Sequence, residues 1–184
     1  MFKVAIVGVG NRLFGDDGVG SIVAEILGAC FRSDSVDVFV REILDTSVIH
    51  VLEDYDMVIF VDAIRGANVE KPVLYYVDLN VTSQEWEGVF RVVDPHNVDV
   101  MRLVLLALIS GRLRAKVYLL GMPVEVLELG ASLSRKAIEA IPLAVHIIER
   151  VLVKEVGLKD PLDIDCVNRW LRGLDKNSNN NPEG

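Results

Sequence analysis

A glycine-rich loop near the N-terminus constrains the fold of this chain more than any other stretch. The loop, residues 8–20, contains five glycines and the two adjacent acids Asp16 and Asp17. An apolar, largely β-branched run at residues 4–7 precedes it, and residues 21–30 follow it with apolar side chains at helical spacing. A strand, a tight loop and a helix in this order are typical of an open α/β sheet, which binds its ligands beside such loops.

Strand-like and helix-like patterns alternate along the rest of the chain. Apolar runs predict further strands at residues 36–44, 57–61, 73–77 and 117–120. Helices are predicted at residues 48–53, 97–110 and 134–154. Asp62 is expected at the end of the third strand, and a turn is expected at residues 121–123. The alternation predicts an α/β fold, a three-layer αβα sandwich with a five-stranded, mostly parallel twisted sheet.

The C-terminal part of the chain differs in character from the rest. We predict a single αβα domain over residues 1–158 and a C-terminal extension over residues 159–184. Within the extension, residues 162–174 are expected to form one short helix. Residues 175–184 contain four asparagines, a proline and a glycine, a composition that predicts a disordered tail.

Charge and cysteine content argue against several classes of function. The chain has 27 acidic and 19 basic residues and a net charge of −8, with no basic patch, so no nucleic-acid partner is expected. We recognise no signal peptide and no apolar run long enough to cross a bilayer, so no membrane partner is expected. The chain has only two cysteines, Cys30 and Cys166, so a disulfide scaffold is not expected and a reducing compartment is favoured. A soluble, cytoplasmic protein is therefore expected.

Two acids and a histidine form the candidate site. Asp17 follows the first strand and Asp62 ends the third, and these strand ends share one edge of a doubly wound sheet. His96 follows a long connection, residues 78–95, and stands at the start of an apolar helix. Two carboxylates and an imidazole with open positions suit zinc, nickel or manganese. The pattern leaves open whether Asp16 or Asp17 is the metal ligand or a general base.

Nucleotide binding and nucleophilic catalysis fit the motifs less well. In the nucleotide fingerprint G-x-G-x-x-G, Gly8 and Gly10 match but Leu13 stands in place of the third glycine. The two acids at the helix start would also repel a pyrophosphate. Residues 130–134 approach the nucleophile motif G-x-S-x-G but lack its last glycine. A hydrolase of this sequence would therefore depend on a metal, or on a metal carried by its substrate.

Several motifs of the chain occur together in one enzyme family. Residues 8–11 read Gly-Val-Gly-Asn, and residues 16–20 read Asp-Asp-Gly-Val-Gly. Further matching segments follow at residues 58–63 (Val-Ile-Phe-Val-Asp-Ala), at residues 94–96 (Asp-Pro-His) and between residues 119 and 134. Together they resemble the signature of the hydrogenase maturation endopeptidases, and the resemblance covers about residues 3–155.

The resemblance implies a reaction and a site. Members of this family have an αβα fold and remove a C-terminal extension from the large subunit of nickel-iron hydrogenases after nickel has been inserted. For this chain it implies an aspartic-type or metal-dependent endopeptidase whose partner is the nickel-loaded hydrogenase large-subunit precursor. Nickel supplied by that substrate is the implied cofactor, and Asp17, Asp62 and His96 are the implied metal-binding and catalytic residues.

The alternative function is a non-catalytic metal-recognition or assembly module on the same fold. The chain also departs from the family pattern in two places. Asp-Thr-Ser at residues 45–47 stands where many members carry a glycine-containing motif, which leaves the role of Asp45 open. The second is the Gly-Met-Pro turn at residues 121–123, which is one residue tighter than usual. Apart from these two departures, the chain beyond residue 158 has no counterpart in the family.

Overall fold

A five-stranded sheet forms the centre of the computed structural model, which describes residues 2–64, 69–77, 98–159 and 162–179. The strands are β1 (Val4–Val9), β2 (Val36–Arg41), β3 (Met57–Ile64), β4 (Val73–Val77) and β5 (Lys116–Pro123). Their order is β2-β1-β3-β5-β4, and neighbours pair in parallel except for β4 and β5, which are antiparallel. The predicted α/β fold with a mostly parallel sheet is confirmed.

Helices cover both faces of the sheet. They are α1 (Val19–Cys30), α2 (Val48–Asp54), α3 (Val98–Ile109), α4 (Arg135–Val156) and α5 (Ile164–Asn179). One hydrophobic core lies between the sheet and α1, α4 and α5, and a second lies between the sheet and α2 and α3. Ile6 and Val7, neighbours in β1, point into opposite cores, as side-chain alternation along a strand requires. None of the helices in the described ranges has an apolar stretch long enough to cross a lipid bilayer.

Burial on both faces explains why the central strands are apolar. Every residue of β1 and of β3 is buried, because helices cover both sides of the sheet there. The edge strands β2 and β4 are less buried. Since β1 pairs in parallel with β3, their carboxyl ends lie at the same edge of the sheet, and that edge is where open α/β sheets bind ligands.

Three predicted strand ends are wrong. β2 ends at Arg41 rather than at residue 44, whereas β3 continues past Asp62 and β5 continues through the predicted turn at residues 121–123. The longer strands form because residues 62–64 of β3 pair in register with residues 121–123 of β5. Gly121 permits this pairing, since a Cβ atom there would overlap the side chain of Ile64. Asp62 therefore belongs to a paired strand rather than to a loop.

A disulfide joins Cys30, the last residue of α1, to Cys166 in α5. No disulfide scaffold is expected from the sequence, and the structure differs from that expectation by this one bond. The two positions are 136 residues apart in the sequence, and packing of α5 against α1 brings their Cα atoms to 5.4 Å, within the range that a disulfide requires. The spacing of the cysteines gives no indication of this contact. The expectation of a reducing compartment rests on the absence of disulfides and loses that support.

Helix α5 is also longer than the sequence predicts. It spans Ile164–Asn179, whereas one short helix is predicted within residues 162–174 and disorder from residue 175. The apolar side chains of α5 pack against the core beside α1 and α4, and this burial stabilises the helix. The boundary between residues 158 and 159 stays a prediction.

Candidate active site

The glycine-rich loop connects β1 to α1 through short 3₁₀ turns over Arg12–Gly18. Phe14 and Gly15 interrupt these turns with non-helical backbone angles. The Asn11 side chain accepts a hydrogen bond of 2.9 Å from the backbone N–H of Leu13, which caps the first turn. The chain therefore folds back over the end of β1 within a few residues.

Close approach of α1 to the sheet fixes the position of this loop. The start of α1 lies so near the ends of β1 and β3 that a Cβ atom at Gly20 would overlap the carbonyl oxygens of Val9 and Val61. Gly10 has a φ of 125°, a conformation that favours glycine, and its Cα lies against the backbone of Asp17. The glycines thus hold the Asp17 segment directly over the carboxyl edge of the sheet.

Asp17 is half-buried at this edge. Its Oδ2 accepts a hydrogen bond of 2.7 Å from the backbone N–H of Asn11, which orients the carboxylate. Within the described part of the chain, the other oxygen, Oδ1, makes no hydrogen bond. One oxygen therefore positions the group, and the other is available to a ligand.

Asp62 lies at the same edge, near the carboxyl end of β3. Its side chain is only 5% exposed, and its Oδ1 accepts a hydrogen bond of 2.8 Å from the backbone N–H of Ala63. A carboxylate this buried requires hydrogen bonds or a cation to balance its charge. The carbonyl of Val61, one residue earlier, contacts the start of α1. The predicted adjacency of the two strand ends is confirmed, whereas the roles of Asp17 and Asp62 as metal ligands stay predictions.

His96 lies outside the described residues, as does the predicted connection at residues 78–95. The helix that follows, α3, is described from Val98. Among the residues that the structure describes, no group of three or more histidine, cysteine, aspartate or glutamate side chains could hold a metal ion. The described geometry therefore locates two of the three predicted ligands, Asp17 and Asp62.

Asp16 has a very different environment from its neighbour in the sequence. Its side chain is fully buried and accepts four hydrogen bonds from the β5–α4 loop (residues 124–134). Oδ2 accepts from the backbone N–H groups of Glu125 at 2.7 Å and Val126 at 3.0 Å, and from Ser134 Oγ at 2.7 Å. Oδ1 accepts from the backbone N–H of Ser134 at 2.6 Å. The carboxylate therefore ties the glycine-rich loop to the β5–α4 loop.

This arrangement distinguishes two acids that the sequence leaves equivalent. Both oxygens of the Asp16 carboxylate accept hydrogen bonds from the β5–α4 loop, whereas Asp17 has one oxygen that makes no hydrogen bond to the described residues. The sequence identifies Ser134 as the start of a helix, and its Oγ does cap α4 by accepting the N–H of Ala137 at 3.1 Å. Its bond to Asp16 joins positions 118 residues apart, and no local pattern could indicate it.

Asp45, whose role the sequence leaves open, is exposed and lies just before α2. Its Oδ1 accepts a hydrogen bond of 2.8 Å from the backbone N–H of Ser47, which forms an Asx turn. Hydrogen bonds from the side chain and the backbone of Ser47 hold the pKa of Asp45 below its usual value. These contacts are those of a turn residue that leads the chain into α2.

Fold and site together define an αβα domain with two acids at the carboxyl edge of its sheet. The model of the HycI family, hydrogenase maturation protease, matches residues 43–151, more than half of the chain. The chain therefore belongs to this protease family and is a peptidase. The match includes Asp62 and His96 and begins after Asp17. A comparison with curated proteins gave no match.

Solved structures of hydrogenase maturation proteases share the fold. The endopeptidase HybD from E. coli superposes with a TM-score of 0.66 at 21% identity, covering 84% of this chain and 94% of HybD. The hydrogenase 2 maturation peptidase from a Thaumarchaeota archaeon gives 0.61 at 27% identity, covering 85% and 99%. The maturation protease HycI from Thermococcus kodakarensis gives 0.62 at 23% identity, covering 82% and 92%. The chain thus spans nearly the whole length of each.

Proposed function

We propose that the protein removes a C-terminal extension from the large-subunit precursor of a nickel-iron hydrogenase after nickel insertion. Asp17, Asp62 and His96 recognise the nickel that the precursor carries. Membership of the hydrogenase maturation proteases supports the reaction class. The observation that supports the assignment of the site is that Asp17, in the loop after β1, and Asp62, near the end of the neighbouring strand β3, lie at one edge of the sheet.

The chemistry of these side chains suits a metal that belongs to the substrate. Carboxylate oxygens and an imidazole bind nickel, but thiolates hold it more firmly. A set of two carboxylates and one histidine leaves coordination positions open, so it can share a metal with substrate ligands without removing it. The half-buried position of Asp17 makes it accessible to such a metal, while the buried strand position of Asp62 gives the site a rigid second contact.

The proposed reaction is metal-assisted hydrolysis of one peptide bond. The nickel of the precursor supplies Lewis acidity at the scissile carbonyl or at the attacking water. The protein contributes by positioning the nickel. The backbone N–H of Asn11 orients the Asp17 carboxylate, and that of Ala63 orients the Asp62 carboxylate. The four hydrogen bonds to Asp16 support Asp17, rather than Asp16, as the acid that contacts the reacting centre.

Single substitutions in the site should slow processing by about 100-fold or more, because each removes a contact to the metal. We expect this for Asp17→Ala, Asp62→Ala and His96→Ala in an assay with nickel-loaded precursor, where mass spectrometry measures the shortened product. His146→Ala is the matched control, since His146 is exposed and paired with Glu149 on α4. Circular dichroism melting curves separate loss of fold from loss of function.

Two outcomes would contradict the proposal. Normal cleavage by all three variants would mean that these residues take no part in the reaction. Binding of the nickel-loaded precursor without any shortening would instead favour a non-catalytic recognition module. Precursor without nickel provides the further control, because the wild-type protein should leave it uncleaved.

A further inference from the structure

Helix α5 lies along α1, and the contact begins at the disulfide. Cys30 and Cys166 are covalently joined, and the backbone N–H of Asp163 donates a hydrogen bond of 2.9 Å to the carbonyl of Cys30. Phe31 and Leu162 form an isolated antiparallel bridge beside them. The start of α5 is therefore fixed to the end of α1 by one covalent bond and by backbone contacts.

The other end of α5 reaches the glycine-rich loop. Leu174 lines a cavity of about 170 Å³ together with Ile22 of α1 and with Arg12 and Gly15 of the loop. Leu174 lies eight residues after Cys166, and Ile22 lies eight residues before Cys30, so both helices cover about 12 Å between the disulfide and this cavity. The two helices thus run antiparallel, and α5 spans the distance from the disulfide to the loop that carries Asp17.

The two sulfur atoms differ in access to solvent. Cys30 is 1% exposed, whereas Cys166 is partly exposed and lines a surface cavity of about 370 Å³ with Arg169 and Trp170. A small dithiol can therefore reach the sulfur of Cys166 through this cavity. The disulfide is accessible to a reductant from one side.

We propose that the Cys30–Cys166 disulfide is a redox-sensitive cross-link that holds α5 against α1 and so stabilises the glycine-rich loop. A dithiol reductant attacks the sulfur of Cys166, and the sulfur–sulfur bond breaks as Cys30 leaves and takes up a proton. The second thiol of the reductant then resolves the mixed disulfide. Two electrons and two protons pass to the cysteines, and the dithiol becomes a cyclic disulfide. In the reduced protein, α5 is held only by packing and by the backbone contacts at Cys30 and Phe31, and the loop loses part of its support.

Hydrogen exchange measures this coupling without any substrate. The backbone N–H of Asp16 bonds to the carbonyl of Val126, and that of Gly130 bonds to the carbonyl of Leu13, so both amides report on the loop. After treatment with dithiothreitol, with alkylation and mass spectrometry to verify two free thiols, we expect both amides to exchange about tenfold faster. The amide of Ile59 in β3 serves as the internal reference. The unfolding midpoint should fall by about 10 °C.

Cys166→Ser distinguishes the effect of losing the disulfide from any other effect of the reductant. This variant should match reduced wild-type protein in exchange and in melting temperature, both with and without dithiothreitol. Identical exchange of the loop amides in oxidised and reduced wild-type protein would overturn the proposed role of the cross-link. Two free thiols in air-oxidised protein would overturn it as well. If Cys166→Ser does not fold, the reduced wild-type protein still decides the question.

A link to catalysis rests on the proposed function and is tested separately. Because dithiothreitol competes for nickel, processing is compared between wild-type protein and Cys166→Ser without reductant. We expect the variant to cleave several-fold more slowly, and equal rates would overturn the coupling to the site. If neither protein cleaves the precursor, the proposed function fails, while the exchange result still decides whether the cross-link stabilises the loop.

Discussion

Gly20→Ala should destabilise the protein by about 3 kcal/mol or more. The added Cβ atom would overlap the carbonyl oxygens of Val9 and Val61, which belong to paired strands and cannot move independently. The helix α1 must therefore shift away from the sheet and open the core around it. Chemical denaturation followed by circular dichroism measures the loss as a lower midpoint at unchanged slope.

Gly28→Ala provides the matched control, because it adds the same methyl group to the same helix. Gly28 is exposed, and a Cβ atom there would make ordinary contacts with Val38. Alanine also favours a helix over glycine by about 1 kcal/mol. We expect this variant to be as stable as the wild-type protein or slightly more so. Equal stability of the Gly20 and Gly28 variants would contradict the close packing of α1 on the sheet.

Asp16→Asn should also cost about 3 kcal/mol of stability, although it changes a single atom. An asparagine presents one oxygen and one NH₂ group, so even with its oxygen in place of Oδ2 the NH₂ group faces the backbone N–H of Ser134 and cannot accept its hydrogen bond. The bonds from Glu125, Val126 and Ser134 Oγ also lose a charged acceptor, and hydrogen bonds to a charged group are stronger than those to a neutral one. Thermal unfolding and denaturant titration of the purified variant measure the loss.

Asp17→Asn is the matched substitution one residue later, and it should impair activity rather than stability. Asp17 is half-buried and accepts one described hydrogen bond, from Asn11, which the asparagine oxygen can still accept. Its stability should stay within about 1 kcal/mol of the wild-type value, while processing of the nickel-loaded precursor is lost. A stable, inactive Asp16→Asn together with an unstable, active Asp17→Asn would invert the assignment of the two acids.

The sequence predicts features of the fold that depend on local pattern. Continuous apolar runs indicate the buried strands β1 and β3, because a strand covered on both faces needs no polar alternation. The spacing of apolar residues indicates α1. The glycine-rich loop between β1 and α1 indicates the edge of the sheet at which Asp17 lies. For the site, this is enough to place Asp17, in the loop after β1, and Asp62, near the end of β3, at the same edge of the sheet.

Features that depend on contacts between distant segments could not be predicted. Asp62 lies within a strand because β5 pairs with it through Gly121, and this register is not encoded in the residues around Asp62. The disulfide likewise depends on how α5 lies along α1, since its cysteines are 136 residues apart. The distinction between Asp16 and Asp17 depends on donors from the β5–α4 loop.

The bonds of Asp16 have a consequence for the order in which the molecule is built. They connect residue 16 to partners 109 to 118 positions later in the chain, and contacts of such separation form slowly because a long loop must close first. A nascent chain that has emerged as far as α3 already contains Asp17, but it has none of the donors that fix the adjacent residue. The Asp16 carboxylate therefore acquires its partners only after synthesis and docking of residues 125–134, so the glycine-rich loop is fixed late in folding.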